Sequence, residues 1–439
     1  LGISTIPEFL ESRFDRATRV IVSFIFLVAY IVTMLPLVLY AGSVAMERIF
    51  GITALMGGNR FMATTVMCVA LGIIGGIYAI FGGLKAVAVS DSLNGIIFII
   101  GAVILIPVLA FIALGDGSIA EGIRLFATSS PEHLNAIQPA NAQPPYIPWP
   151  MIVLGCGINH ISYWCTNQSI MQRVLGAKNL KEAQKGSLLT GLTCVFCPIF
   201  LVAPGVIQFI RDGGVLTDFD MAYPSLIKDI LPTPVLGFFA AVMFGAILSS
   251  FNSVLNSAST MFTLDLYRSS INPKASDTKC VKVGKIYGTI AGCIAIVISP
   301  FVMYAGGITT FLNSMSQFVS LPVLCTILGI FMFKRIPKYM PKVITVFHVV
   351  CYGAFLLIKP CYPGSSNPIH YLYAMAVLFP IELLIMWYLN KYHPAEEYEI
   401  RDVGAVDLTP WKYRHIVSII GLLLALGIYI LFSPLGIAA

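Results

Sequence analysis

Long apolar runs separated by short polar connectors make up most of the chain. Stretches with little or no charge give eleven probable spans, roughly 18–49, 60–81, 86–114, 150–171, 184–210, 235–264, 282–305, 308–333, 340–359, 369–391 and 415–435. Runs of about 20 apolar residues match the helix length that crosses a bilayer core. The charge-free run from Ile286 to Phe333 is too long for one crossing, and the paired glycines of "YAGGITT" (304–310) mark its turn. Two connectors are long. Residues 115–150 predict one short amphipathic helix followed by a Pro-rich return, and 211–234 form the second. "GAKNLKEAQKG" (176–186) reads as a short interfacial helix, and 394–414 as a polar loop anchored at the interface by Trp411. The expected class is an all-α polytopic membrane protein.

Composition agrees. Apolar residues are 57 % of the 439 and charged residues 11 %, against about 25 % charged in a soluble globule. The formal charge of +6 does not form a basic stripe with interleaved aromatics, which excludes a nucleic-acid partner. It sits in connectors, and it sits unevenly. With the segment before the first span placed inside, alternate connectors put twenty-one Lys and Arg inside and six outside, the asymmetry that fixes orientation in a membrane. Among the ten cysteines, Cys194 and Cys197 have C-x-x-C spacing, but their flanks are wholly apolar and no second Cys/His pair lies near them. They read as small polarizable core residues rather than a metal or redox site. No nucleophile has a base nearby in sequence and no glycine loop cradles a phosphate, so the residues do not point to an enzyme.

The informative residues are polar groups at membrane depth, which are costly there and face a bundle interior or a cavity. "GAILSSFNSVLNSAST" (245–260) places Ser249, Ser253, Asn256 and Thr260 on one helical face, with Ser250 and Ser257 beside it. Two readings stay open. Neutral hydroxyl oxygens suit Na⁺, and small polar residues also let helices pack closely and bond across the contact. "GINHISYWCTNQSIMQR" (157–173) gathers Asn159, His160, Tyr163, Trp164, Asn167 and Gln168. Aromatic rings beside amides suit a sugar; an interfacial aromatic belt is the alternative. Asp91 lies just inside the third span, within reach of a cation path or of Lys85. Glu382 lies deeper, in a late span, where a scaffold partner or a protonated acid is the expectation.

Seven stretches occur together and in order: "STIPEFLESRFD" (4–15), "YAIFGGLKAVAVSDSLNG" (78–95), "YWCTNQSIMQR" (163–173), "AKNLKEAQKG" (177–186), "MAYPSL" (221–226), "SSFNSVLNSASTMFTLDLYR" (249–268) and "VDLTPWKY" (406–413). They resemble the sodium/solute symporter family, and within it the bacterial sodium/glucose cotransporter-like members. The resemblance implies a LeuT-type fold of two inverted five-helix repeats, with 1–114 the remainder of the first, 150–333 the second and 338–439 peripheral helices. It also implies about three spans before Leu1, hence roughly fourteen in all, and that residues 1–439 alone hold half a cation site and do not transport. By resemblance the Na⁺ ligands fall on the Ala246 carbonyl and the Ser249 and Ser250 hydroxyls, and the acid of the cation exit path on Asp91. The aromatic gate beneath the solute falls on Tyr163, and the sugar-contacting amide on His160, with Asn159 adjacent. The family's sugar-contacting Lys falls on Cys194. The Gln of its tenth core helix falls on Asn313 or Ser314, according to whether Lys334 or Pro322 sets the register. The implied function is Na⁺-coupled symport of a hexose or sugar-like solute, with no organic cofactor, in the bacterial inner membrane. The alternatives are the same fold with a carboxylate, vitamin or amino acid, and a solute sensor that does not transport.

Overall fold

The computed structural model describes residues 3–140, 147–215, 219–305, 308–358, 370–398, 404 and 406–438; the side chains of 79–91, 93, 309, 310 and 358 are not among those described. The chain enters through α1 (Ile6–Arg13). Its start is set locally: Thr5 Oγ1 accepts the Glu8 N–H at 3.2 Å, and Pro7 occupies the first turn, where its missing N–H costs nothing. The first span, α2 (Arg16–Phe50), begins in the same way behind Asp15, whose carboxylate accepts the Thr18 N–H at 2.8 Å.

The next two spans are α3 (Arg60–Tyr78) and α4 (Asn94–Leu114). The expected break between them is not a break in helical backbone, which runs unbroken over Arg60–Phe98. That helix is nevertheless not straight. A Cβ on Gly75 would meet Phe251 at 2.9 Å and Leu248 at 3.2 Å, and one on Gly245 would meet Asn94 at 2.8 Å. Positions 245–251 cover about 9 Å of helix, whereas a straight helix from 75 to 94 would cover about 28 Å.

After the outer helix α5 (Ile119–Ser129) come α6 (residues 149–166), α7 (Gln168–Leu175), α8 (Leu180–Val195), α9 (Pro198–Arg211), α10 (Ala222–Ile230), α11 (Thr233–Ile271) and α12 (Asp277–Tyr304). The chain closes with α13 (Ile308–Met332), α14 (Met340–Ile358), α15 (Tyr371–Tyr392) and α16 (Arg414–Leu431). Among the described residues nine helices are long and apolar enough to cross a membrane, or ten if α8 and α9, bent by 46°, count as one. The remaining expected span, 150–171, is interrupted. Asn167 is extended (φ −68°, ψ 114°) and its side-chain oxygen takes the Ser169 N–H at 3.0 Å, so the amide replaces a helical bond and starts a new helix. The separate interfacial helix expected at 176–186 is also corrected. Asn179 caps a helix that starts at Leu180 and runs on into the bilayer.

Proline widens three spans by one device. Leu35, Ile106 and Ala203 each precede a proline, and each donates its N–H to the carbonyl five residues back, on Tyr30, Gly101 and Pro198. Proline crowds the carbonyl four residues back and supplies no donor, and a wider turn relieves both. The largest apolar core lies among α2, α11, α13, α14 and α15, with Phe251, Leu35, Leu321 and Tyr352 fully buried.

Candidate functional site

The site is built where α6 meets α13. Asn159 and Gln317 are buried, at 4 % and 1 % exposure. Gln317 Nε2 donates to Asn159 Oδ1 at 2.6 Å, and the Ser162 hydroxyl donates to Gln317 Oε1 at 2.9 Å. Each amide therefore has its orientation fixed by a hydroxyl or amide on the facing helix, as a buried polar pair requires. One turn along α6, Tyr163 is half-buried and meets Trp164 edge to face at 5.9 Å; Trp164 is 40 % exposed. The break at Asn167 is held from α2: the Tyr30 hydroxyl donates to Asn167 Oδ1 at 3.1 Å and accepts the Ser169 N–H at 3.3 Å.

The second part of the site lies on α11. Ala246, Ser249 and Ser250 fall within one helical turn, Ser249 half-buried and Ser250 exposed. Neither hydroxyl has a hydrogen-bond partner among the described residues. Asn94 of α4 lies against Gly245, the residue before Ala246. Further along, the polar face packs. Ser253 Oγ accepts from Arg173 at 2.5 Å, Ser257 Oγ donates to Gln172 Oε1 at 2.9 Å, and Thr260 Oγ1 accepts from Gln172 Nε2 at 3.3 Å. The expected hydroxyl glue therefore runs from Ser253 to Thr260, and its partner is α7. The amide of Asn252 is fully buried, and neither of its polar atoms has a partner among the described residues.

Residues 1–339 match the Sodium:solute symporter family. The chain belongs to that family. The uncharacterized symporter YidK of Escherichia coli is 37 % identical over 440 residues, covering 99 % of this chain and 75 % of that protein. The sodium/glucose cotransporter of Vibrio parahaemolyticus is 30 % identical over 380 residues, covering 82 % and 67 %. The sodium/myo-inositol cotransporter 2 of Bos taurus is 28 % identical over 459 residues, covering 94 % and 65 %. The chain thus spans about three quarters to two thirds of these relatives. A solved Na⁺-coupled sialic acid symporter, in a substrate-bound outward-open state, superposes with a TM-score of 0.68 at 20 % identity, over 91 % of this chain and 79 % of that one. That likeness shows the fold, the LeuT-type transporter fold. Family and fold place the chain among multi-pass membrane transporters and not among enzymes.

Within this family frame the candidate residues separate into groups. Asn159, Ser162 and Tyr163 lie together on α6. His160 is exposed on another face of the same helix. Asn313 is half-buried. Ser314 is buried with its hydroxyl turned back to the Phe311 carbonyl at 3.2 Å, so it does not reach Asn159. The residue that does is Gln317, which neither register singled out. Its signal was present: it is the one glutamine in the charge-free run of α13 and stands four residues beyond Asn313. Cys194 is set apart from the amides. It lines a cavity of about 480 Å³ with His133, Asn135, Pro198 and Tyr429, between α8, α9, α16 and the outer connector. Cys194 and Cys197 are free thiols. The Asp91 side chain lies outside the described residues, although its backbone is helical, one turn before Asn94. Glu382 has the scaffold partner expected of it: Oε1 lies 2.7 Å from His348 Nδ1, and both side chains are fully buried.

Proposed function

We propose that the protein couples inward movement of Na⁺ to uptake of a sugar or sugar-like polyol, by alternating access in the bacterial inner membrane. The observation that carries the cation half is the pair of hydroxyls, Ser249 and Ser250, without partners among the described residues on a bilayer-crossing helix of a sodium:solute symporter. Polar groups at that depth are costly unless something meets them. Ser249, Ser250 and the free lone pair of the Ala246 carbonyl supply three neutral oxygens within one turn, a hard donor set that fits Na⁺. The solute half rests on the Asn159–Gln317 amide pair beside Tyr163 and Trp164, with rings for the apolar faces of a sugar and amides for its hydroxyls. Na⁺ favours the outward-facing state only as far as it binds that state more tightly. Its passage inward then releases about 2.3 kcal/mol per 100 mV. We read Asp91 as the acid on the cation's exit path, because its helix lies against α11 beside Ala246.

The test is uptake by the complete protein in proteoliposomes, with labelled hexoses, polyols and carboxylates, with and without a Na⁺ gradient. Na⁺-stimulated hexose or polyol uptake is expected. Uptake that ignores Na⁺ and follows pH removes the coupling. Binding without accumulation replaces a transporter with a sensor. A carboxylate solute is the second reading, and the exposed His160 on α6 favours it, since a protonated imidazole answers a carboxylate.

A further inference from the structure

We propose that His348 and Glu382, on two helices that follow the core, are positioning residues for the Asn159–Gln317 amide pair and share one proton. The inference rests on reading that amide pair as part of the solute site. Four residues in four helices form one line, joined at Gln317 through its backbone carbonyl. Asn159 of α6 accepts from Gln317 of α13; the Gln317 backbone carbonyl lies 3.1 Å from His348 Nε2 of α14; His348 Nδ1 lies 2.7 Å from Glu382 Oε1 of α15. His348 and Glu382 are both fully buried.

The protonation state follows from donor and acceptor chemistry alone. A carbonyl oxygen only accepts, so Nε2 carries a hydrogen. Nδ1 then either bears the lone pair of a neutral ring or a second N–H of an imidazolium. In the first case Glu382 must be the acid and donate. In the second it is a carboxylate and accepts. Two lone pairs facing each other at 2.7 Å are excluded by repulsion. Either way one proton lies between Nδ1 and Oε1 and the pair is neutral overall, the form a dry interior favours. The groups facing it are the Cys325 thiol of α13, beside Glu382, and Tyr352 of α14, stacked on the imidazole at 5.3 Å. Tyr352 donates its hydroxyl to the Ser314 carbonyl at 2.9 Å. α14 therefore holds α13 by two carbonyls, one at Ser314 and one at Gln317, on the segment that carries the solute amide. Pro322 follows one turn later and removes a ladder donor from α13, so this segment has less support of its own.

The experiment uses the complete protein, in nanodiscs for solute half-saturation, melting-point elevation by Na⁺ alone and ¹⁵N-histidine NMR, and in proteoliposomes for uptake. Glu382→Leu and His348→Leu should raise solute half-saturation about tenfold, because each leaves a buried polar group of the line unpaired, while the response to Na⁺ alone is retained. Glu382→Gln, whose amide can donate to Nδ1, should restore half-saturation to within about twofold. The His348 signals, assigned by their loss in His348→Leu, should show a protonated Nε2. A ring with its only hydrogen on Nδ1 overturns the shared proton. Gln317→Leu separates the two levels of the argument. If it leaves solute uptake intact, the solute-site reading fails. If it abolishes uptake while the Leu variants at 348 and 382 keep wild-type half-saturation, the positioning inference alone fails.

Discussion

Ser250 is an exposed hydroxyl on a membrane-crossing helix, and Ser249 beside it is half-buried, both without partners among the described residues. Replacing a packing serine of this kind by alanine changes little, because both states lack a hydrogen bond. Replacing a cation ligand removes an oxygen that nothing else supplies. Ser250→Ala in the complete protein should therefore raise the Na⁺ concentration for half-maximal uptake about tenfold or more, at unchanged protein melting temperature; an unchanged Na⁺ dependence removes Ser250 from the site. The amides make a contrasting case. Asn159→Ala strands the Gln317 Nε2–H in a site with 1 % exposure, a loss of about 1–3 kcal/mol, visible both as lower thermal stability and as loss of uptake. The residue scale is also where sequence reading separated what it could see from what it could not. Asn159 and the two serines were legible because polar groups at membrane depth stand out one residue at a time. Gln317 was not singled out because two registers pulled the expected glutamine to Asn313 or Ser314, three or four residues early. Glu382 was flagged without its partner, since His348 lies in another span and nothing local in the sequence joins them.

Each unusual stretch of helix has a local cause and a distant partner. Pro36 widens the turn after Tyr30, and Tyr30, fully inside the core, closes on Asn167, where α6 stops and α7 starts. The Asn167 oxygen takes three donors: the Ser169 N–H at 3.0 Å, the Ser169 hydroxyl at 2.7 Å and the Tyr30 hydroxyl at 3.1 Å. Asn167→Ala loses a helix cap, about 1 kcal/mol, and leaves the Tyr30 hydroxyl in a buried site without its acceptor, about 1–3 kcal/mol more. Tyr30→Phe removes the hydroxyl itself and should cost less. Thermal melting of the two single variants and the double variant checks this. The double should be no worse than Asn167→Ala, because one bond is counted in both; full additivity dismisses the link. The interruption was not legible in the sequence, where 150–171 reads as one charge-free run. Asparagine breaks a helix only if its side chain finds better partners than solvent or lipid, and Tyr30 supplies one from 137 residues away.

At the scale of the molecule, the connectors that alternate loop counting assigned to opposite sides do meet at opposite ends. At one end Asp265, fully buried, takes Thr5 Oγ1 at 2.9 Å and Arg19 Nε at 2.8 Å, Arg13 reaches the Ile336 carbonyl at 3.1 Å, and Lys342 pairs with Asp15 at 2.6 Å. At the other, Lys228 reaches the Arg48 carbonyl at 3.0 Å and Arg48 bonds Ser225 at 3.0 Å. Burial alone would raise the Asp15 carboxyl, but Lys342 and the Thr18 donors outweigh it and hold the group below its ordinary value. A carboxyl depressed in the fold stabilises it above the unfolded pKa near 4 and ceases to do so as pH falls through the lower folded value. Melting of the purified protein should therefore lose about 1 kcal/mol or less on acidification below pH 4 through this pair, given its one-third exposure, and Asp15→Asn should remove that part of the pH dependence. The two ends also share a pattern. Pro7 lies in the first turn of α1 and α2 starts nine residues after it at Arg16; Pro224 lies in the first turn of α10 and α11 starts nine residues after it at Thr233. Each short helix precedes one of the two longest spans, and the two sit at opposite ends. That is the relation expected of inverted repeats, and it supports reading 1–114 and 150–333 as the two halves. Sidedness tests it directly. Ser12 on α1 and Asp229 on α10 are both exposed. In a background without reactive native thiols, Asp229→Cys should react with an impermeant maleimide in intact cells and Ser12→Cys only after permeabilisation. Reaction of both from the same side would separate the shared spacing from inverted symmetry and leave it a local habit of two helix starts.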